Sequence, residues 1–473
     1  MVYIQLKGGF KLHTYIYKQQ LNNLKFTSEE LNELLKVKLP NPLEATQVEQ
    51  VNQNLYKILN NAESSFLIDE KYEISHNTIM ESWRRKTEGA RSEILNRFLQ
   101  VENLHILMSN GCSMYAGSKA INTEEKQEHS SLLENFTLET ETAFRKEIED
   151  TIKDLVNKRP EQALDALYQI QNMYSNVFKT NNSEAIVNEL DTFIHKFKHI
   201  FVKNFVLTID YGKNHLHKAF LKKLSSRNEK LNRVNLFTLN YDLLIEKTAE
   251  ELNLHVNNGF TGFHYRTFMP STFHIGTHLN YNDGGKINTK SVNLFKLHGS
   301  LSWEFDNTKP PYGISERQLE FNKLKSEHLQ EKDIPECIIY PVQSKKSYSL
   351  DLPYSEMFRQ FIEFVNKPNS CILIMGYSFL DEHVNDILTN ALSNPDCNLV
   401  IFSYQSKDDK NLAPYLSNLI QRSYEDSRIT LFFGNVLGDF ESIVRYLIPY
   451  PYNHQNERII LDTLELLRTE VHE

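Results

Sequence analysis

Short apolar runs punctuate the second half of this chain. VNLFTL (234–239), NLFKL (293–297), CIIYPV (337–342), SCILIM (370–375), NLVIFSY (398–404) and ITLFF (429–433) are mostly continuous rather than alternating. Runs of this length predict strands buried on both faces, as in a parallel sheet. Between them lie segments with apolar residues at helical spacing, such as YSEMFRQFIEFVN (354–366) and DEHVNDILTNAL (381–392). Strand and helix in alternation predict an α/β fold: a Rossmann-like parallel sheet with helices on both faces. One earlier run, LHILM (104–108), meets the small residues Ser109, Asn110, Gly111, Ser113 and Gly117. That change predicts a first core strand, a tight turn and a helix start.

The rest of the chain divides around this core. Residues 1–100 are expected to form a mostly helical extension. It opens with an alternating hairpin pattern over 2–17 around Lys7-Gly8-Gly9, and Thr27 to Glu30 has capping-box spacing before ELNELLKV. Further helical spacing runs from Val48 to Leu59, and another helix is expected over about 78–99. Residues 101–455 are expected to hold the α/β domain. Within it, 120–205 is highly charged and reads as a helical insertion, interrupted at Pro160 and at Asn181-Asn182-Ser183. Residues 456–473 read as a terminal helix.

Composition narrows the class. Hydrophobic residues make up 40% and charged residues 24% of the chain, as in a soluble globular protein. No apolar run is long enough to span a membrane, and the first residues lack a signal peptide's apolar core, so a cytoplasmic protein is expected. The net charge of −9 argues against nonspecific binding of nucleic acid across the whole surface. The four cysteines, Cys112, Cys337, Cys371 and Cys397, form no C-x-x-C pair, so no zinc site is expected.

Four segments carry candidate chemistry, each where a predicted strand ends. Open α/β sheets gather ligands at those ends. Ser109-Asn110-Gly111-Cys112-Ser113 offers backbone N–H groups to a pyrophosphate, or is a plain β–α turn. Thr238, Asn240 and Asp242 follow the next strand: the Asn amide can orient a water or a ribose hydroxyl, while Asp242 can support it or merely cap a helix. His298, in KLHGS, can act as general base or hold a ribose hydroxyl, or be a structural histidine. In GYSFLDEH, Gly376 permits close backbone approach and Ser378 can bond a ribose or phosphate, with Asp381 opening a helix.

Taken together, SNGCS, LNYD, LHGS and GYS resemble, in order, the phosphate loop, Q-N-x-D, L-H-G and G-x-S motifs of the Sir2 family. The similarity is closer to the bacterial Sir2-like NADases of antiphage defence, notably those encoded beside a HerA-type ATPase. It covers residues 103–120 and 215–455. Leu239 stands where sirtuins have Gln, Ser109-Asn110 replace Gly-Ala, and the zinc module is missing.

The resemblance implies cleavage of the nicotinamide–ribose bond of NAD, with NAD as substrate. Asn240, Asp242 and His298 would serve the chemistry. Ser109 to Ser113, Thr238, Gly376 and Ser378 would hold the nucleotide. It further implies abortive-infection defence, a homo-oligomer, a HerA-type ATPase partner and restraint of the free chain, with the insertion at 120–205 as lid or assembly surface. The alternatives are an NAD-dependent protein deacylase, a non-enzymatic NAD or ADP-ribose sensor, and a nuclease, for which no D-x-E-x-K or H-N-H arrangement is present.

Overall fold

The computed structural model of the chain describes chiefly residues 98–119, most of 135–321, residues 337–340 and most of 352–449, together with short strands at Phe66–Asp69 and Tyr72–Ile74. Its centre is a seven-stranded sheet in which every neighbouring pair is parallel. We number its strands β1 (Asn103–Met108), β2 (Val234–Thr238), β3 (His255–Asn257), β4 (Ser291–Lys296), β5 (Ser370–Met375), β6 (Cys397–Ser403) and β7 (Ile429–Phe433). Their spatial order is β7-β6-β5-β1-β2-β4-β3. The chain thus runs from β1 towards one edge and then returns to the other side of β1. The crevice beside β1 is the topological switch point, where such sheets bind ligands.

Successive strand residues face opposite sides, and both sides are apolar. Leu104, Ile106 and Met108 pack on one face with Leu236 and Leu294 beneath Phe220 and Leu224; Leu107, Phe237 and Phe295 pack on the other with Phe361 and Met357. The stacked rings of Phe237 and Phe295 lie 4.6 Å apart, and Phe361 reaches within 4.3 Å of Phe237. Burying each such side chain contributes roughly 1.5–3 kcal/mol. Helices therefore cover both faces. Apart from the sheet lie α1 (Arg145–Lys158), α2 (Pro160–Asn176) and α3 (Ser183–Phe201) of the insertion. Those on the sheet include α4 (His215–Ser225), α5 (Leu244–Glu251), α6 (Tyr354–Val365), α7 (Glu382–Ala391) and α8 (Pro414–Ser423).

A polar row crosses the middle of this apolar sheet. His105, Asn235 and Asn293 occupy the same register on β1, β2 and β4. Asn293 donates to Asn235 Oδ1 at 2.7 Å, and the Asn235 amide lies 3.2 Å from His105 Nδ1. Slipping one strand by a residue would strand these buried groups, so the row fixes the level of all three strand ends.

Helices α1 to α3 build a separate apolar cluster around Ile152, Leu164, Leu190, Phe197 and Phe201. That cluster meets the sheet domain through Tyr241, Leu301, Ile338 and Tyr340, and the Phe201 ring sits edge-on to Tyr241 and Tyr340.

Three elements differ from expectation. Of CIIYPV the described residues, 337–340, form no strand; Ile338 makes an isolated bridge to Gly299. β3 was not anticipated, being a three-residue edge strand with little burial. A four-stranded antiparallel sheet, containing Phe260–Thr261, Arg266–Phe268, Trp303–Phe305 and Ile314–Glu316, flanks β4 in the chain without an apolar run to announce it. In the N-terminal extension the described part includes an antiparallel hairpin, Phe66–Asp69 with Tyr72–Ile74. The hairpin at 2–17, the helical spacings up to Leu59 and the terminal helix at 456–473 lie outside the described residues. Among the described residues, no helix is long and apolar enough to cross a membrane.

Candidate active site

Register brings the four predicted segments to one level. Met108 of β1 pairs with Thr238 of β2 and with Met375 of β5, and Thr238 pairs with Lys296 of β4. The chain leaves these strands at Ser109, Leu239, Gly376 and Leu297, all on the carboxyl edge of the sheet. Ser109, Asn240, His298 and Gly376 therefore lie along one edge around the switch point.

The first turn packs against the fourth. Gly111 donates its N–H to the Gly376 carbonyl at 3.1 Å, and Ser109 donates to Met375 O at 3.2 Å. A Cβ on Gly111 would fall 2.7 Å from Gly376 Cα; one on Gly376, at φ +66°, would fall 2.6 Å from Cys112 N. Only glycine fits at either position.

Asn240 and Asp242 are tied to the first turn through one hydroxyl. Ser113, fully buried, accepts from Asn240 Nδ2 at 3.0 Å and donates to Asp242 Oδ2 at 3.3 Å. Asp242 Oδ1 accepts from Leu244 N at 2.9 Å at the start of α5. Asp242 thus serves both its helix and the Ser113 network. Thr238 is buried and accepts from Asn240 N at 3.1 Å, which holds the turn's backbone.

Beneath this turn lies Lys296, which is 2% exposed. Its ammonium group donates to the carbonyl of Asp242, reaches that of Asn240 at 3.5 Å, and pairs with Glu246 at 3.1 Å. Burial raises the Glu246 carboxyl to about 7, against the opposing pull of Lys296. One buried cation therefore positions the backbone that carries Asn240 and Asp242. In the sequence alone Lys296, a lysine near a strand end, has the look of a surface residue.

His298 is buried at the end of β4. Its carbonyl accepts from Ile339 N at 2.8 Å, and Gly299 at φ +88° turns the chain so tightly that a Cβ there would meet Cys337 O. Its Nε2 lies 3.0 Å from Asp381 Oδ2, with both side chains under a tenth exposed. The sequence presents Asp381 only as the residue that opens a helix; the fold adds its position against His298. The spacing from Gly376 to Asp381 is the signal in the sequence that could have pointed to it.

The phosphate-loop expectation changes in one respect. Ser109–Ser113 leads not into a long helix but into two 3₁₀ turns, Asn110–Cys112 and Met114–Ala116. The N–H groups of Gly111, Cys112 and Ser113 donate to Gly376, Ser109 and Asn110 carbonyls. Gly117, at φ +102° against the Thr208 carbonyl, stops the turn from extending. The Cys112 thiol is buried, directed at Met375 O and pushed upward in pKa by burial, so it faces the core. Asn110 bonds Lys119 O at 2.7 Å and also Ser118, closing the loop on itself. Ser378 is exposed on the rim of the same edge.

Residues 234–432 match the family model described as a SIR2-like domain. The match supports a Sir2-like family for the chain. SIR2-like domains are in general NAD-dependent enzymes, which supports a Sir2-type, NAD-related reading of the matched residues. The matched range starts at the first residue of β2 and stops near the end of β7, so β1, central in the sheet, precedes it. The sheet that holds the matched residues is thus completed by a strand more than a hundred residues upstream, with α1 to α3 looped out between. No curated protein matches the chain. Among the described residues no cluster of three or more His, Cys, Asp or Glu could hold a metal ion, and all four cysteines are buried thiols.

Proposed function

We propose that the chain is an NAD+ glycohydrolase: NAD+ and water give nicotinamide, ADP-ribose and a proton. The observation that carries this reading is the convergence of Asn240, His298 and the Gly111–Gly376 contact at one sheet edge, in a domain type that uses NAD. The C1′–nitrogen bond to nicotinamide breaks first, and the leaving group takes the electron pair. The ribose then carries oxocarbenium character. Asn240, its amide oriented by Ser113, directs the ribose or the incoming water. His298 accepts the proton that water loses as its oxygen bonds C1′. Positioned proton transfer of this kind contributes on the order of 10²–10⁴ in rate. The turns at Gly111 and Gly376 carry no side-chain bulk, and the pyrophosphate and adenosine ribose would lie against their main chain, with Ser109 and Ser378 on the rim.

The resemblance to antiphage NADases extends the proposal to the cell. Depletion of NAD would abort infection, with this chain as a homo-oligomer in complex with a HerA-type ATPase. A free and constitutive NADase would harm its host, so the isolated chain is expected to be restrained, with helices α1 to α3 forming the assembly surface. The test is NAD consumption by the purified chain with and without the ATPase. Partner-dependent release of nicotinamide and ADP-ribose, abolished in His298→Ala, is expected. Release that requires an acylated lysine peptide would point to a deacylase, and binding without turnover under either condition would point to a sensor.

A further inference from the structure

The geometry points to Asp381 as the positioning residue that fixes which nitrogen of His298 is basic. This inference rests on the reading of His298 as the proton acceptor. The Asp381 carboxylate divides its two oxygens. Oδ1 caps helix α7, accepting from His383 N at 3.2 Å and Val384 N at 3.4 Å. Oδ2 lies 3.0 Å from His298 Nε2. A helix cap needs only the first contact.

The turn that delivers Asp381 is held more firmly than a cap requires. Gly376 and Phe379 both take positive φ, +66° and +60°. For Phe379 that conformation is costly and persists only where the surroundings impose it. Tyr377 Oη lies 3.0 Å from both the Asp381 carbonyl and Asn385 Oδ1, and Asn385 Nδ2 donates to Phe379 O at 2.9 Å. These groups are buried. They brace the turn from within α7, so the carboxylate cannot swing away from the imidazole. On the other side, Gly299 and the bond from Ile339 N to His298 O hold the histidine backbone.

A carboxylate accepts only, and an Nε2 lone pair held 3.0 Å from Oδ2 would be repelled by it, so the proton of the neutral imidazole belongs on Nε2. The basic lone pair then belongs to Nδ1, and Nδ1 takes the proton from water in the reaction. As the imidazolium forms, the Asp381 charge stabilises it. The logic is that of the aspartate in Ser-His-Asp triads, reached here on a sheet with no such serine.

Asp381→Asn is the discriminating variant. Asn caps a helix about as well as Asp, so α7 and the thermal midpoint are expected to stay as they are. The amide, however, can present its NH₂ to Nε2, which then becomes an acceptor and moves the proton to Nδ1. Histidine ¹⁵N spectra of the full chain, with the His298 signals assigned by their loss in His298→Gln, are expected to show Nε2–H in the wild type and Nδ1–H in Asp381→Asn. In the presence of the ATPase, kcat for NAD is expected to fall on the order of 10³–10⁴ with KM little changed, the size seen when a triad aspartate is replaced by asparagine. An unchanged tautomer in Asp381→Asn overturns the inference, as does a switched tautomer with kcat intact. If the wild type cleaves no NAD, the glycohydrolase reading fails, while the tautomer measurement still decides whether Asp381 sets the histidine.

Discussion

Gly111 and Gly376 come from turns 265 residues apart in the chain, yet they meet with no space for a methyl group between them. Gly111 donates to the Gly376 carbonyl, and a Cβ on either would approach the other turn to 2.7 Å or less. This contact closes the switch point beside β1. Gly376→Ala adds a steric clash to an unfavourable φ of +66°. We expect it to cost roughly 1–3 kcal/mol of stability from backbone strain, with the clash in addition. Calorimetry should show the lowered midpoint, and titration with NAD should show weakened binding. Gly111→Ala, without positive φ, should lose binding with a smaller drop in midpoint.

Lys296 and Glu246 yield a prediction about coupling. Lys296→Met removes the cation that holds two carbonyls and leaves Glu246 without its partner. Breaking a buried pair this way costs about 3–5 kcal/mol. Lys296→Met with Glu246→Leu removes both charges, and the double variant should be more stable than Lys296→Met alone. Urea midpoints of the four proteins in the cycle measure the interaction; additive losses would show that the pair is not coupled.

Much of the site was legible in the sequence for a physical reason. Strands of a parallel sheet are buried on both faces, so they read as apolar runs, and each run ends where its carboxyl-edge turn begins. Runs such as LHILM and SCILIM therefore marked both the sheet and the turns at Ser109 and Gly376. Side chains whose roles depend on partners far along the chain were less readable. Lys296 looks like a strand-end lysine until Glu246 and the Asn240 turn are placed over it. Asp381 looks like a cap until β4 brings His298 to it. β3 carries its pairing in only three residues at an edge, and the insertion's meeting with Tyr241 and Tyr340 leaves no periodic trace.

Acid stability follows from two buried histidines. His105 and His217 are both held near 3, chiefly by burial, against an ordinary value of 6.5. The unfolded chain takes up their protons between those limits while the folded protein does not, so stability must fall as pH drops from 6.5 towards 3. Each contributes a slope of up to about 1.4 kcal/mol per pH unit. Glu246 acts in the opposite sense. Its folded value is about 7 against 4.5 unfolded, so the folded state holds the extra proton in that window and loses stability as pH rises through it. Between 4.5 and 6.5 one histidine is thus offset, and below 4.5 both act unopposed. The difference in urea midpoint between wild type and His217→Leu should therefore shrink steadily as pH falls below 6.5. A difference independent of pH would contradict a neutral buried His217.

Ser113 tests whether the two halves of the site act as one. Its hydroxyl is the shared atom between Asn240 and Asp242, and it lies on the turn that touches Gly376. Ser113→Ala leaves the Asn240 amide and one Asp242 oxygen without that bond, each a loss of roughly 1–3 kcal/mol where no water replaces it. If Asn240 orients the reacting ribose or water, the freed amide should lower kcal-scale stability less than it lowers kcat, because misplacement costs rate steeply. Ser113→Thr keeps the hydroxyl, and any shortfall it shows would come from the added methyl in a fully buried position. We expect Ser113→Ala to reduce partner-activated NAD cleavage by ten-fold or more, with Ser113→Thr retaining more activity. Equal activity of Ser113→Ala and wild type would mean that Asn240 is positioned by its backbone turn at Thr238 alone.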